Sequence, residues 1–541
     1  MLLIAVKDAE DQKKILRYQK LIKLGNSSTL YTCAHMNNIQ NKFLIFLIVL
    51  CYIPVLFLGL FDVDEGAFAT TSLQMIKQKQ YLIPLIGDEL RLEKPILTYW
   101  IQVVSMYVFG VNEFALRLPS IFASFIWAYC FSNFVKQHTR NVHKSEIFIN
   151  LLTLPGVFLM SFAATADAFL NLFITLLMIN LFNYSLKKDD KLLIWSGIYV
   201  ALGFLTKGLA IIAICGPVTF VYFLLKRQLL NYLMVLLNWK AWFAFAIIVL
   251  PWFIFILKEI DINNLNYLFF GQSFGRFTNT FEGHEGTFFY YLIVLPFLIL
   301  PYLIDALKGI GKLNLRGNNF ELFLFIWFVF VLIFFSFSST KLPHYILYGI
   351  TPLAYVVHKN HLKISENKIS IHSTFFHSLV WLVVLSIPFY LNYLLSIQGS
   401  YDVSNEVINN FSNDLTFIVP VLCLIGIFIV SYLRGMKMMF IKRISALSLV
   451  ALLGFKILPF VYDATQADIK KIALGAKELQ GDVSMFRLNK PSFSFYADKI
   501  SYKDLQEANL IFTRVDKLIF LEVEYEIISQ HGNYVLLETR K

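Results

Sequence analysis

Residues 43–65 read FLIFLIVLCYIPVLFLGLFDVDE, an uncharged apolar run from Phe43 to Leu60 followed at once by Asp62, Asp64 and Glu65. A helix rises about 1.5 Å per residue and the hydrocarbon core of a bilayer is about 30 Å thick, so a run of this length reads as a membrane span. The residues before it carry Lys13, Lys14, Arg17, Lys20, Lys23 and Lys42, which the positive-inside rule keeps in the cytoplasm. The run begins too late for a signal peptide and no small-residue cleavage site follows it; Met36 would start an equally plausible membrane protein. The three acids therefore emerge on the outer face.

Outward from this stretch the pattern repeats at about 117–135, 147–164, 168–186, 192–206, 209–225, 240–257, 287–304, 319–337, 343–357, 374–394, 415–433 and 444–461. The 541 residues are 57% apolar and 15% charged, with mean hydropathy +0.63, against roughly 25% charge in soluble domains. The expected fold is an α-helical polytopic membrane protein of about thirteen transmembrane helices, which excludes a soluble enzyme or a disordered chain. Alternate threading places Lys136/Arg140/Lys144, Lys187/Lys188/Lys191, Lys226/Arg227, Lys308/Lys312/Arg316, Lys359/Lys363/Lys368 and Arg434/Lys437/Lys442/Arg443 inside. That agreement requires the apolar stretch 96–109 not to cross. It is then an interfacial or re-entrant part of a large first external loop, 61–116.

After Pro459 charges of both signs return, 11 Lys+Arg against 12 Asp+Glu, and apolar runs shorten to strand length in DVSMFRL, KLIFLEV and YVLLETR. The organisation predicted is a cytoplasmic segment 1–42, a membrane domain 43–461 and a small soluble α/β domain 462–541 on the external, periplasmic side. The net charge of +11 resolves into a basic inner border, so nucleic-acid binding is not needed to explain it. Four of the five cysteines lie in apolar runs and Cys33 precedes the first, which suggests neither a disulfide framework nor a cysteine metal site.

The polar residues left at the outer ends of the spans are few. Asp62, Asp64 and Glu65 follow the first span, Glu93 and Lys94 precede Pro95, Asp167 opens a span in TADAFLNLF and Lys207 ends one in GFLTKG. Arg276 and His284 lie in GQSFGRFTNTFEGHEGTFFYY, and Lys341, His344 and Tyr345 in STKLPHYILYG. Ionisable groups at this depth are costly unless they pair or line a wet cavity. Taken singly each has a bland explanation: acids suit a first helical turn, lysines snorkel, and a lone His284 forms interfacial hydrogen bonds. Six segments contributing to one side point instead to a site. Lys94, Lys207 and Arg276 could neutralise phosphate oxygens, and Glu93 with His284 could ligate a divalent cation, with Zn, Mg and Mn not distinguished. Asp64 and Asp167 could take a proton from an acceptor hydroxyl, orient it, or bind an amine.

The run 64–100, DEGAFATTSLQMIKQKQYLIPLIGDELRLEKPILTYW, and then FGVNEFALRLPS, ATADAFLNLF, LGFLTKG, FFYYLIVLPFLILPY and KLPHYILYGITPLA occur in the order of a known family. They resemble the bacterial membrane glycosyltransferases that include the undecaprenyl phosphate-aminoarabinose:lipid A transferase, relatives of the protein O-mannosyltransferases. The resemblance implies a GT-C fold in the bacterial cytoplasmic (inner) membrane and a polyprenyl-phosphate-linked sugar as donor, transferred with inversion to lipid A or another glycolipid or glycan. It implies Asp64 as the catalytic acidic residue of the first loop, Glu93 and His284 as metal ligands near the donor phosphate, and Lys94 and Arg276 on that phosphate. Asp167 would line the sugar or acceptor pocket and Tyr345 would contact sugar. Two departures, Phe68 where the family usually has Tyr and Pro95-Ile96 where it has a double proline, bear on which sugar or acceptor is used. A protein O-glycosyltransferase is the alternative within the class. A secondary transporter or lipid flippase would need ionisable groups at span centres, where this chain has few.

Overall fold

A membrane helix needs one face for its neighbours and one for lipid, and Gln40–Phe57 (α1) has both. Phe43, Phe46, Val49, Ile53 and Phe57 are exposed along one stripe, while Ile48, Tyr52 and Val55 are buried on the other. The computed structural model describes residues 40–140, 142–278, 285–364, 368–398, 407, 410–411, 413–436, 438–505 and 508–539.

After α1 come Asp64–Gln78 (α2), Leu97–Phe109 (α3), Glu113–His138 (α4), Lys144–Leu152 (α5), Pro155–Phe162 (α6), Asp167–Lys187 (α7), Asp190–Lys207 (α8) and Ala210–Leu225 (α9). Leu229–Leu237 (α10), Trp239–Glu259 (α11), Tyr290–Leu298 (α12), Leu303–Ile310 (α13), Asn319–Phe337 (α14) and Thr351–Ile364 (α15) follow. Then come Ile371–Gln398 (α16), Leu415–Leu433 (α17), Met438–Leu452 (α18) and Leu458–Thr465 (α19). Among the described residues eight helices are long and apolar enough to cross a membrane, or ten if each bent pair counts as one span. The pairs α5/α6 and α12/α13 bend by 73° and 115°, at or beside Pro155 and Pro301, where proline removes a helical donor. The other predicted runs fall on α8, which has charged ends, on the short α9, and on a 3-10 turn, Pro343–Gly349, leading into α15. Helix α3 extends about 20 Å, short of a hydrocarbon core.

Helix α7 is the hub: 78% of its apolar stretch is buried, against 17% for Leu229–Glu259 at the periphery. Helices α8 and α11 approach so closely that a Cβ on Gly197 would sit 2.1 Å from the Ala241 carbonyl oxygen, a contact that only glycine permits.

A layer of buried ion pairs closes the helix ends that begin α14 and α18. Lys442 bonds both Asp305 oxygens at 2.6 and 2.8 Å, Glu321 accepts from Tyr355 Oη at 2.6 Å and pairs with Lys359, and Glu146 lies 3.0 Å from both His358 and Arg443.

The chain ends in Ala467–Lys477 (α20), Ser492–Ala497 (α21) and a five-stranded sheet. After the small hairpin Leu85–Ile86 (β1) and Glu89–Leu90 (β2), the sheet strands are Val483–Met485 (β3), Ser501–Tyr502 (β4), Leu510–Arg514 (β5), Tyr525–His531 (β6) and Tyr534–Thr539 (β7). Their order is β4-β3-β5-β7-β6, with β3 parallel to β4 and β5, and β7 antiparallel to β5 and β6. Leu510, Phe512 and Leu536 pack with Ile469, Ile472 and Phe493, and the same core takes in Leu60, Leu73, Leu116 and Ala164. The sheet is thus built onto the first loop.

Candidate active site

The first loop is fixed by a buried ion pair. Arg117 on α4 donates from Nε and Nη2 to the two Glu65 carboxylate oxygens at 2.7 and 2.6 Å. Its remaining N–H groups reach the carbonyls of Val55 and Gly59, at 2.7 and 2.8 Å, and that of Leu58, the orphan acceptors at the end of α1. Glu65 also accepts from the Phe61 and Ala164 amides, each at 2.9 Å. Every strong acceptor in this knot is satisfied, which is what makes a buried pair tolerable. Asp64, its neighbour on the first turn of α2, is exposed and faces a cavity.

That cavity has a volume of about 400 Å³. Its polar wall carries Asp64, Glu93, Lys94, Asp167, Lys207 and Tyr345, together with Thr165, His344 and Tyr348. Its apolar wall includes Ala210 and Ile214 of α9 and Phe334 and Phe335 of α14. The polar groups come from helix ends: Asp167 starts α7, Lys207 ends α8 and His344 follows α14.

Asp167 is fully engaged. Lys207 Nζ donates to its Oδ1 at 2.6 Å and to Tyr348 Oη at 2.7 Å, Tyr348 Oη donates to the same Oδ1, and Thr165 Oγ1 donates to Oδ2 at 3.2 Å. The Lys207 ammonium also sits over the Tyr345 and Tyr348 rings, at 5.5 and 5.4 Å. No hydrogen bond or ion pair among the described residues holds the Asp64 carboxylate. Behind Glu93 lies Arg91, buried over the Phe68 ring and donating to Tyr99 Oη at 2.8 Å. Burial alone would weaken the guanidinium's hold on its proton, but Tyr99, Glu93 and Asp64 raise its pKa above the ordinary value.

Six of the predicted residues, Asp64, Glu93, Lys94, Asp167, Lys207 and Tyr345, thus line one cavity. Arg276 opens a three-residue helical turn whose next residue, Phe277, lines the cavity; His284 lies outside the described residues. Among the described residues no group of three or more His, Cys, Asp or Glu could hold a metal ion. Glu93 Oε2 is nevertheless a buried oxygen without a hydrogen-bond partner, lying 4.0 Å from Arg91 Nε, which suits one ligand of such an ion. Tyr348 and Thr165 were not singled out from sequence, Phe68 only as a departure from the family's usual Tyr, and His344 only as an outer polar residue.

A charged cavity thus lies at one end of an apolar helix bundle, beside the first loop that carries Asp64 and Glu93. The fold is similar to that of ArnT. It superposes on crystal structures of ArnT from Cupriavidus metallidurans, bound to undecaprenyl phosphate and apo, with TM-scores of 0.76 and 0.75 at 17% identity. The superpositions cover 92% and 91% of this chain and 97% of those chains. Residues 93–255 match the family described as dolichyl-phosphate-mannose-protein mannosyltransferase. Among curated proteins the chain is 30% identical over 328 residues to the undecaprenyl phosphate-α-4-amino-4-deoxy-L-arabinose arabinosyl transferase of Photorhabdus laumondii, 58% of each chain. It is 26% identical to the Wigglesworthia glossinidia protein of the same name, over 60% of this chain and 59% of that one. The chain thus spans under two thirds of the length of these curated relatives.

Proposed function

We propose that this protein transfers a sugar from a polyprenyl-phosphate donor to lipid A or another glycolipid or glycan acceptor at the outer face of a bacterial cytoplasmic membrane. The observation that carries the reading is the division of labour in one cavity: an uncommitted Asp64, a neutralised Asp167–Lys207 pair, and Lys94 beside Glu93, all facing an apolar wall. The apolar wall suits a prenyl chain. In the proposed step an acceptor oxygen attacks the anomeric carbon and inverts it, and the bond from that carbon to the phosphate oxygen breaks with its electron pair going to the phosphate. Asp64 receives the proton of an acceptor hydroxyl, and Lys94 with Arg276 meets the charge that develops on the phosphate. Glu93 and His284 would hold a divalent cation, which when bound screens that same charge.

This reading goes with the thirteen-span topology, a cytoplasmic N-terminus and the C-terminal sheet outside, where it covers the first loop. The mannosyltransferase match over residues 93–255 favours a second acceptor class, protein hydroxyls. Purified protein in lipid vesicles, given undecaprenyl phosphate-α-4-amino-4-deoxy-L-arabinose labelled in the sugar, is expected to move label into lipid A. Label appearing only in added protein would reject the lipid acceptor, and label left wholly on the donor with every acceptor would reject this donor.

A further inference from the structure

His344 lines the cavity and has no role in the mechanism above. It belongs to the 3-10 turn Pro343–Gly349, where Pro343 limits the backbone, and its ring meets Tyr345 edge-on, with centroids 4.8 Å apart at 84°. Its Nε2 stands 4.0 Å from Asp167 Oδ1, beyond hydrogen-bond reach, because that oxygen already accepts from Lys207 and Tyr348. No hydrogen bond to either ring nitrogen forms among the described residues. The imidazole is partly exposed, its side chain 28% accessible, on a wall shared with Tyr345 and Tyr348, and the charges of Asp167, Lys207, Asp64 and Lys94 all act on it.

A neutral imidazole offers one donor and one acceptor at fixed angles, which matches a hydroxyl better than a phosphate. Phosphate is better served by the lysines nearby. Aromatic walls next to such a group suit the C–H face of a sugar ring. Building on the donor assignment above, we propose that His344 is a sugar-binding residue, hydrogen-bonded to a hydroxyl of the sugar that the polyprenyl phosphate carries.

The test uses the purified full chain in detergent and two probes, undecaprenyl phosphate-α-4-amino-4-deoxy-L-arabinose and bare undecaprenyl phosphate. His344→Ala is expected to weaken binding of the sugar-bearing probe about 10-fold, the scale of one lost hydrogen bond, and to leave the bare lipid within about 2-fold. His344→Gln, which keeps a donor and an acceptor, should recover most of the loss. In turnover the change should appear in KM for the donor, with kcat nearly unaltered. Equal weakening of both probes, no weakening of either, or a fall in kcat with donor affinity intact would each overturn the proposal. Failure of the wild-type chain to bind either probe marks instead the failure of the donor assignment, and the proposal falls with it.

Discussion

Asp64 and Asp167 line the same cavity, yet their surroundings divide them. Asp167 holds Lys207 and Tyr348 in place, so its charge is spent on structure, whereas Asp64 is exposed and bonds to nothing described. Asp64→Asn should therefore lower transfer about 10²-fold or more and leave the thermal unfolding midpoint in detergent where it was. Asp167→Asn should lower both, because it strands a part-buried ammonium, at a cost on the order of 2 kcal/mol. Equal thermal losses in the two variants would contradict this division. These carboxylates were legible because a charge at the end of an apolar run interrupts the hydropathy pattern. Tyr348 was not: in a chain with 27 Tyr, an aromatic residue inside an apolar segment looks like core until its neighbours are known.

At the scale of elements, α2 is pinned at both sides of Asp64. Glu65 is locked to Arg117, while Asp62 accepts from the Ser492 amide at 2.9 Å and from Ser492 Oγ at 2.5 Å, joining the loop to α21. Burial raises the Asp62 carboxyl to about 6, against the lowering pull of the Ser492 bonds and Lys490 and with a small push from Glu65. A carboxyl with a raised folded pKa holds its proton more tightly in the docked state than when free. Its contribution is complete below the ordinary value near 4 and is lost as pH rises through about 6. The unfolding midpoint of the wild type should thus fall between pH 4 and pH 7, and Asp62→Asn, which cannot ionise, should flatten that slope; an unchanged slope would remove Asp62 as its source. The helices themselves were readable from runs of apolar residues. The bends were harder to see, because averaging over a window passes through Pro155 and Pro301, and the docking of α21 on the loop joins residues 430 positions apart, a distance no local pattern encodes.

The molecule as a whole has two polar layers separated by the length of α7, 21 residues or about 30 Å. One contains the cavity, beside the sheet built on the first loop. The other contains the buried pairs Asp305–Lys442 and Glu321–Lys359, close to the basic loops that the positive-inside rule assigns to the cytoplasm. If that assignment holds, the cavity opens outward, and side chains at the two layers should differ in access. Lys188 follows α7 at the end opposite Asp167 and is exposed, while Lys503 lies by the C-terminal sheet with its side chain 75% exposed. In a version with its native cysteines replaced, Lys503→Cys should react with a membrane-impermeant maleimide on spheroplasts, and Lys188→Cys only after the membrane is permeabilised. Labelling in the reverse sense would put Asp64 and the cavity on the cytoplasmic side. The acidic loop would then face the compartment of the basic residues, and a donor presented in the outer leaflet would have no route to the site.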